Sequence, residues 1–294
     1  MRSLTALIHR EFLEHRGAFL YAPMVLTILF VIGTLMPFVS GHFHSFGGMR
    51  GGTASRFYEI SYMFAIGAWW LYLLVTLFFY FADAFAADKR NNSMLFWKSM
   101  PVTDLKMLAS KMAAGLTIFP ALIFVAMLFA GIWAYVVAQM SATVLPSFIV
   151  PAIGPAIGAY LQVSLSALVF IILGLLWLSP FFAWVGALST AAGRWSIPLA
   201  FLIPGVLILF ENGTFRMAGA PDGGYIANFL RHRVDLGFAK DTVENFLITG
   251  QPFNAVEFTA GMIARIDWTQ MVAGWAFAVV VIVLASEYRR RTLD

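Results

Sequence analysis

DAFAADKRNNSMLFWKSMPVTDLKMLASK, residues 83–111, is the longest polar interruption in the first half of the chain, and apolar runs of spanning length flank it on both sides. It carries five basic residues, Lys89, Arg90, Lys98, Lys106 and Lys111. Inside it, Met94-Leu95-Phe96-Trp97 followed by Met100-Pro101 is too apolar for an ordinary solvated loop and too short to cross a bilayer. Such a block lies on the membrane surface or presses into a partner protein, and we expect the partner.

Composition sets the class. The chain is 61% hydrophobic, 16% aromatic and 12% charged, with mean hydropathy +0.82. Soluble domains carry about twice that charge fraction. The expected fold is an all-α polytopic membrane protein. The chain has no cysteine, which excludes disulfides and thiolate metal sites. Glu11 and Glu14 in the leader, and the lack of a small-x-small site after it, argue against a cleaved signal peptide.

Residues 1–16 place Leu4, Leu7, Ile8 and Phe12 on one helical face, as an interfacial amphipathic helix would. Six spans are then expected at 17–39, 60–83, 112–137, 157–192, 195–211 and 268–286. The apolar stretch 157–192 is too long for one straight crossing, about 54 Å. Cutting it at Ser179-Pro180 leaves a second piece too short to cross, so we read one span kinked at Pro180. Residues 84–111 form the central loop, and 212–267 form a polar insertion with helical rhythm at Ile226, Phe229, Leu230 and Val234.

Six spans put both termini, loop 84–111 and Arg194 on one face, which then holds 12 of the 19 Lys/Arg. Bases concentrate on the cytoplasmic side, so both termini are expected there, in a bacterial inner membrane.

Several chemistries have no motif. There is no Gly-x-x-x-x-Gly-Lys-Ser/Thr, no His-Glu-x-x-His and no Gly-x-Ser-x-Gly. The chain is therefore read as neither an ATPase nor a hydrolase, with no cofactor of its own and no nucleic-acid partner. His42-x-His44 is a weak metal pair without a third ligand.

Asp88-Lys89-Arg90, Asn92-Ser93, Ser99-x-Pro101-Val102-Thr103 and Lys111 together resemble the cytoplasmic loop of ABC-2 type exporter permeases. Asp88 stands where that family usually has Glu, and Asn92 where it has Gly. The layout is also similar: interfacial leader, six spans, and an insertion before the last. The resemblance implies an export permease, paired with a second copy as a homodimer and driven by a separate ATPase subunit that binds the ATP. It assigns Asp88, Arg90, Met94, Phe96, Trp97, Met100 and Pro101 to ATPase coupling. That assignment has a physical basis, because a permease without a nucleotide site must receive work through a helix seated in its partner's groove. Pro101 stops that helix, and Thr103 or Asp104 can cap the next one. The alternative is a secondary transporter or channel working without an ATPase.

Polar groups inside the apolar runs are the remaining candidates. Asp83 handles a proton or substrate, or it pairs structurally with Lys111 or Arg194, the reading we favour. Gln162, Ser164 and Ser166 read as glue between helices, as does the small ridge of Ala183, Gly186, Ala187 and Ala191. Gly154-x-x-x-Gly158 is a weaker packing signal of the same kind, and Glu59, Glu211 and Asp267 fall at span ends.

Overall fold

The computed structural model describes residues 2–41, 54–90, 103–144, 150–217, 224–238, 243–244, 246 and 253–291. The described residues form ten α-helices: α1 (Arg2–Arg16), α2 (Ala22–Ser40), α3 (Ala54–Arg90), α4 (Asp104–Leu116), α5 (Ile118–Val144), α6 (Ile153–Ala192), α7 (Ser196–Met217), α8 (Tyr225–Val234), α9 (Ala255–Arg265) and α10 (Trp268–Arg291). Five stretches among the described residues are long and apolar enough to cross a membrane: Leu4–Ser40, Tyr58–Ala87, Asp104–Val144, Ile153–Phe215 and Trp268–Arg291. The chain is a helical, polytopic membrane protein.

The fourth stretch is not one rod. Val185 on α6 and Ala200 on α7 share a buried cluster with Ala82 of α3. A straight helix would hold those two residues about 22 Å apart. The short helical turn Gly193–Trp195 therefore folds α7 back onto α6.

Four aromatic side chains of α3 organise the bundle by seating on glycines of its neighbours. Phe81 covers Gly115, Tyr62 covers Gly131, Trp70 covers Gly174 and Phe85 covers Gly186. Where helices have lipid instead of water around them, close backbone approach replaces hydrophobic exclusion as the packing force, and glycine permits it. Tyr62 also shares a 2.8 Å hydrogen bond with Ser164. Along α3 and α6 the paired residues advance together, so these two helices run parallel, whereas α5 runs antiparallel to α3. Tyr58 closes that second pair by donating to the Gly131 carbonyl at 3.1 Å.

A Cβ added at Gly131 would lie 2.6 Å from the Tyr62 ring, while one at Gly158 meets nothing within 4 Å. Gly131→Val is therefore expected to cost about 1–3 kcal/mol, and Gly158→Val close to nothing. Thermal midpoints of the two variants in detergent, measured side by side, check this. Equal midpoints would contradict the packing described here.

Prolines mark the irregular places. Pro120 lacks the N–H that would take the Leu116 carbonyl, and the helix duly breaks at Thr117, separating α4 from α5. Pro180 likewise frees the Leu176 carbonyl inside α6, which stays continuous. That carbonyl accepts instead from Trp275 Nε1 of α10 at 3.1 Å and from the Ser179 hydroxyl at 2.8 Å. The kink expected at Pro180 is thus also where α10 fastens to α6.

Helix ends differ from the expected span ends. α3 starts at Ala54 and runs to Arg90, so it absorbs the end of one expected loop and the start of the central one. α5 continues to Val144, and α6 begins at Ile153 inside the expected loop 138–156. α7 runs on to Met217. Backbone hydrogen bonding carries a helix past the point where hydropathy changes.

Candidate coupling site

The residue before α4 is its cap. The Thr103 side chain accepts from the Lys106 backbone N–H at 3.3 Å, so of the two expected caps it is Thr103 that serves. α4 follows directly on residues 91–102, which carry the expected coupling block. Met94, Phe96, Trp97, Met100 and Pro101 lie outside the described residues, as do His42 and His44. Asp88 and Arg90 belong to the last turn of α3.

α4 is tied to both ends of the chain by charge. Lys111 and Glu11 are each only 3% exposed, and Lys111 Nζ donates to Glu11 Oε1 at 2.8 Å. The Tyr80 hydroxyl lies 3.0 Å from Glu11 Oε2 and 3.2 Å from the Lys111 carbonyl, and its one proton serves one of them at a time. His15 Nδ1 donates to the Glu11 carbonyl at 3.1 Å, and its ring edge meets Tyr80 at 4.7 Å. Phe19 stacks on Phe119 at 3.8 Å and closes the apolar wall. The pair joins α1, α3 and α4 in one dry junction.

At the start of the same helix, Asp104 Oδ1 pairs with Arg289 Nε of α10 at 3.2 Å, and Arg289 is 5% exposed. One helix of 13 residues thus joins the leader to the C-terminal helix. Ser196 at the start of α7 donates to the Ala82 carbonyl of α3 at 3.1 Å.

The leader helix departs from its expected reading. Leu7 is buried, and Ile8 and Phe12 are half-buried, as expected, but Leu4 is exposed. Its most buried residue is Glu11, because Lys111 supplies the countercharge that makes the burial tolerable. Asp83 is half-buried one turn beyond Tyr80. Asp83 has an interaction of its own, Lys111 makes contacts beyond its bond to Glu11, and Arg194 sits exposed on the turn between α6 and α7.

Glu11, Glu14 and His15 bring three ligand atoms within 4.8 Å of one another. Lys111 and Tyr80 already hold Glu11, and Arg10 holds Glu14 at 2.6 Å, so protein groups take up these carboxylates. The cluster is an ion-pair junction.

Other expected candidates act as glue and caps. Ser164 bonds Tyr62, and Gln162 Oε1 accepts from the Ala255 N–H of α9 at 3.3 Å. Ser166 is buried without a hydrogen-bond partner among the described residues. Ala183 is fully buried and Gly186 receives Phe85, whereas Gly154 and Gly158 face open space. Glu211 takes the first two N–H groups of α8 at 2.8 and 2.9 Å, and Asp267 takes the Gln270 N–H of α10 at 3.0 Å. Glu59 accepts from the Phe253 N–H at 3.2 Å. Glu211 and Asp267 thus satisfy helix N-termini.

Sequence reasoning missed Glu11, Tyr80, Arg233 and Arg289. The available signal was a lone Lys111 among Ala and Met, which demanded a distant carboxylate. Comparison of the chain with protein-family models, with curated proteins and with solved structures gives no match, so the reading of this site rests on its residues.

Proposed function

We propose that this chain is the membrane-spanning permease subunit of an ATP-binding-cassette exporter, moving its cargo out of a bacterial cytoplasm with energy from a separate ATPase subunit. The observation that carries the reading is the pairing of α4 with both α1 and α10 through buried charge. A helix so tied passes a displacement of the preceding 91–101 block to the leader and to the C-terminal helix together. The motif of that block, with Phe96 and Trp97 as aromatic anchors, supplies the partner class.

Counting α6 and α7 as separate crossings gives six spans and puts both termini with loop 84–111 on the cytoplasmic face, in keeping with its excess of bases. A second copy of the chain completes the permease. α2 leaves Met24, Val25, Ile28, Leu29, Ile32 and Met36 exposed, a surface that the second copy and lipid share. The ATP site and its chemistry belong to the partner subunit.

The chain has no cysteine, so a single Trp97→Cys variant carrying a photo-crosslinker reports what lies against the block in native membranes. The expected product is a crosslink to an ATPase that itself contains a phosphate-binding Gly-x-x-x-x-Gly-Lys-Ser/Thr loop. Crosslinks to lipid alone would contradict the proposal.

A further inference from the structure

The insertion between α7 and α9 buries a cation that the coupling site does not use. Most of α8 is exposed: Tyr225 is 70% accessible and Val234 67%. Arg233, at 1%, is the exception and ranks among the largest fully buried side chains. An amphipathic helix normally buries its apolar residues. This one buries its arginine.

The guanidinium is held by backbone carbonyls of two different helices. Its Nη1 donates to Trp177 of α6 at 2.9 Å, and its Nη2 donates to Gln270 of α10. Its charge lies 4.5 Å from the centre of the Trp177 ring and 5.5 Å from that of Phe229. Trp177 Nε1 donates back to the Arg233 carbonyl at 2.8 Å, so α6 and α8 grip each other in both directions. Gly274 lies under the guanidinium, where a Cβ would collide with it. Trp177 also sits beside Leu176, whose carbonyl Pro180 frees for Trp275. α8 and α10 therefore fasten to the same turn of α6.

The balance of this contact differs from that of Glu11–Lys111. Arg233 gives up its hydration for neutral acceptors, and its Nε is buried without any acceptor. Burial lowers its hold on its proton, against the more distant pull of Asp267. On release the guanidinium regains water, which offsets the lost contacts. A contact of that kind holds a segment closed and lets it go.

We infer that Arg233 is a latch, holding the 224–238 segment against α6 and α10 and freeing it when those helices shift at the Pro180 turn. Under the export reading, on which this one extension rests, the latched segment closes the cargo's route. The latch itself stands on the contacts above.

Hydrogen exchange of the purified full chain in lipid nanodiscs tests it without ATPase or cargo, so its outcome is independent of the transport proposal. Arg233→Met keeps the aliphatic bulk and removes the donors. Gly274→Ala leaves α8 untouched and fills the guanidinium's seat. Both are expected to raise exchange across residues 225–234 by about 10-fold or more, with the α3–α6 core still protected. Unchanged exchange across 225–234 in either variant would overturn the latch. Protection lost throughout the core in both would overturn it too, by making Arg233 part of the global fold.

Discussion

Replacing Lys111 with methionine is expected to destabilise the chain by about 3–5 kcal/mol, more than the loss expected for Gly131→Val. The loss comes less from the vanished ion pair than from the carboxylate left behind. Glu11 is 3% exposed, with the Tyr80 hydroxyl still donating to it and His15 Nδ1 3.9 Å from its Oε2. The companion variant separates these terms. Glu11→Gln combined with Lys111→Met removes both charges and keeps their bulk, and should recover most of the loss, because buried pairs contribute little net stability against apolar groups of similar size. Denaturant midpoints of the single and double variants in detergent check the difference. A double variant as unstable as the single would show that α1 docks by some other contact.

Phe96→Asp with Trp97→Asp is the second large effect, and it falls on function. Aromatic anchors at a groove commonly contribute about 2 kcal/mol or more each, so the pair should weaken the ATPase partner on the order of 100- to 1,000-fold. A carboxylate driven into the groove adds an unpaired charge to the lost contact. The variant chain should still insert and keep its thermal midpoint, since the Glu11–Lys111 and Asp104–Arg289 pairs are untouched. Loss of insertion would mean that the two aromatics support the fold itself.

What the sequence made legible is the part that depends on neighbours along the chain. Apolar runs gave the membrane class, 157–192 held together as one helix through Pro180, and Thr103 after Pro101 gave the α4 cap. Helix ends were not legible, because hydropathy reports where water begins and α3 runs to Arg90 regardless. Nor was the pairing of helices. Gly131 and Gly174 look like any small residues until Tyr62 and Trp70 are laid upon them. Glu11 sits between Arg10 and Glu14 in a leader that reads as solvated, and the lysine that draws it inward lies 100 residues away. Arg233 is one of several bases in a polar insertion, and nothing local marks it as buried.

The direct measurement is the ATPase activity of what co-purifies with the tagged chain from native membranes, taken for the wild type and for Phe96→Asp/Trp97→Asp. The expected result is a stoichiometric, vanadate-sensitive ATPase with the wild type and its loss with the variant. A wild-type chain that purifies alone, with no ATP hydrolysis, would contradict it and favour a transporter working unaided.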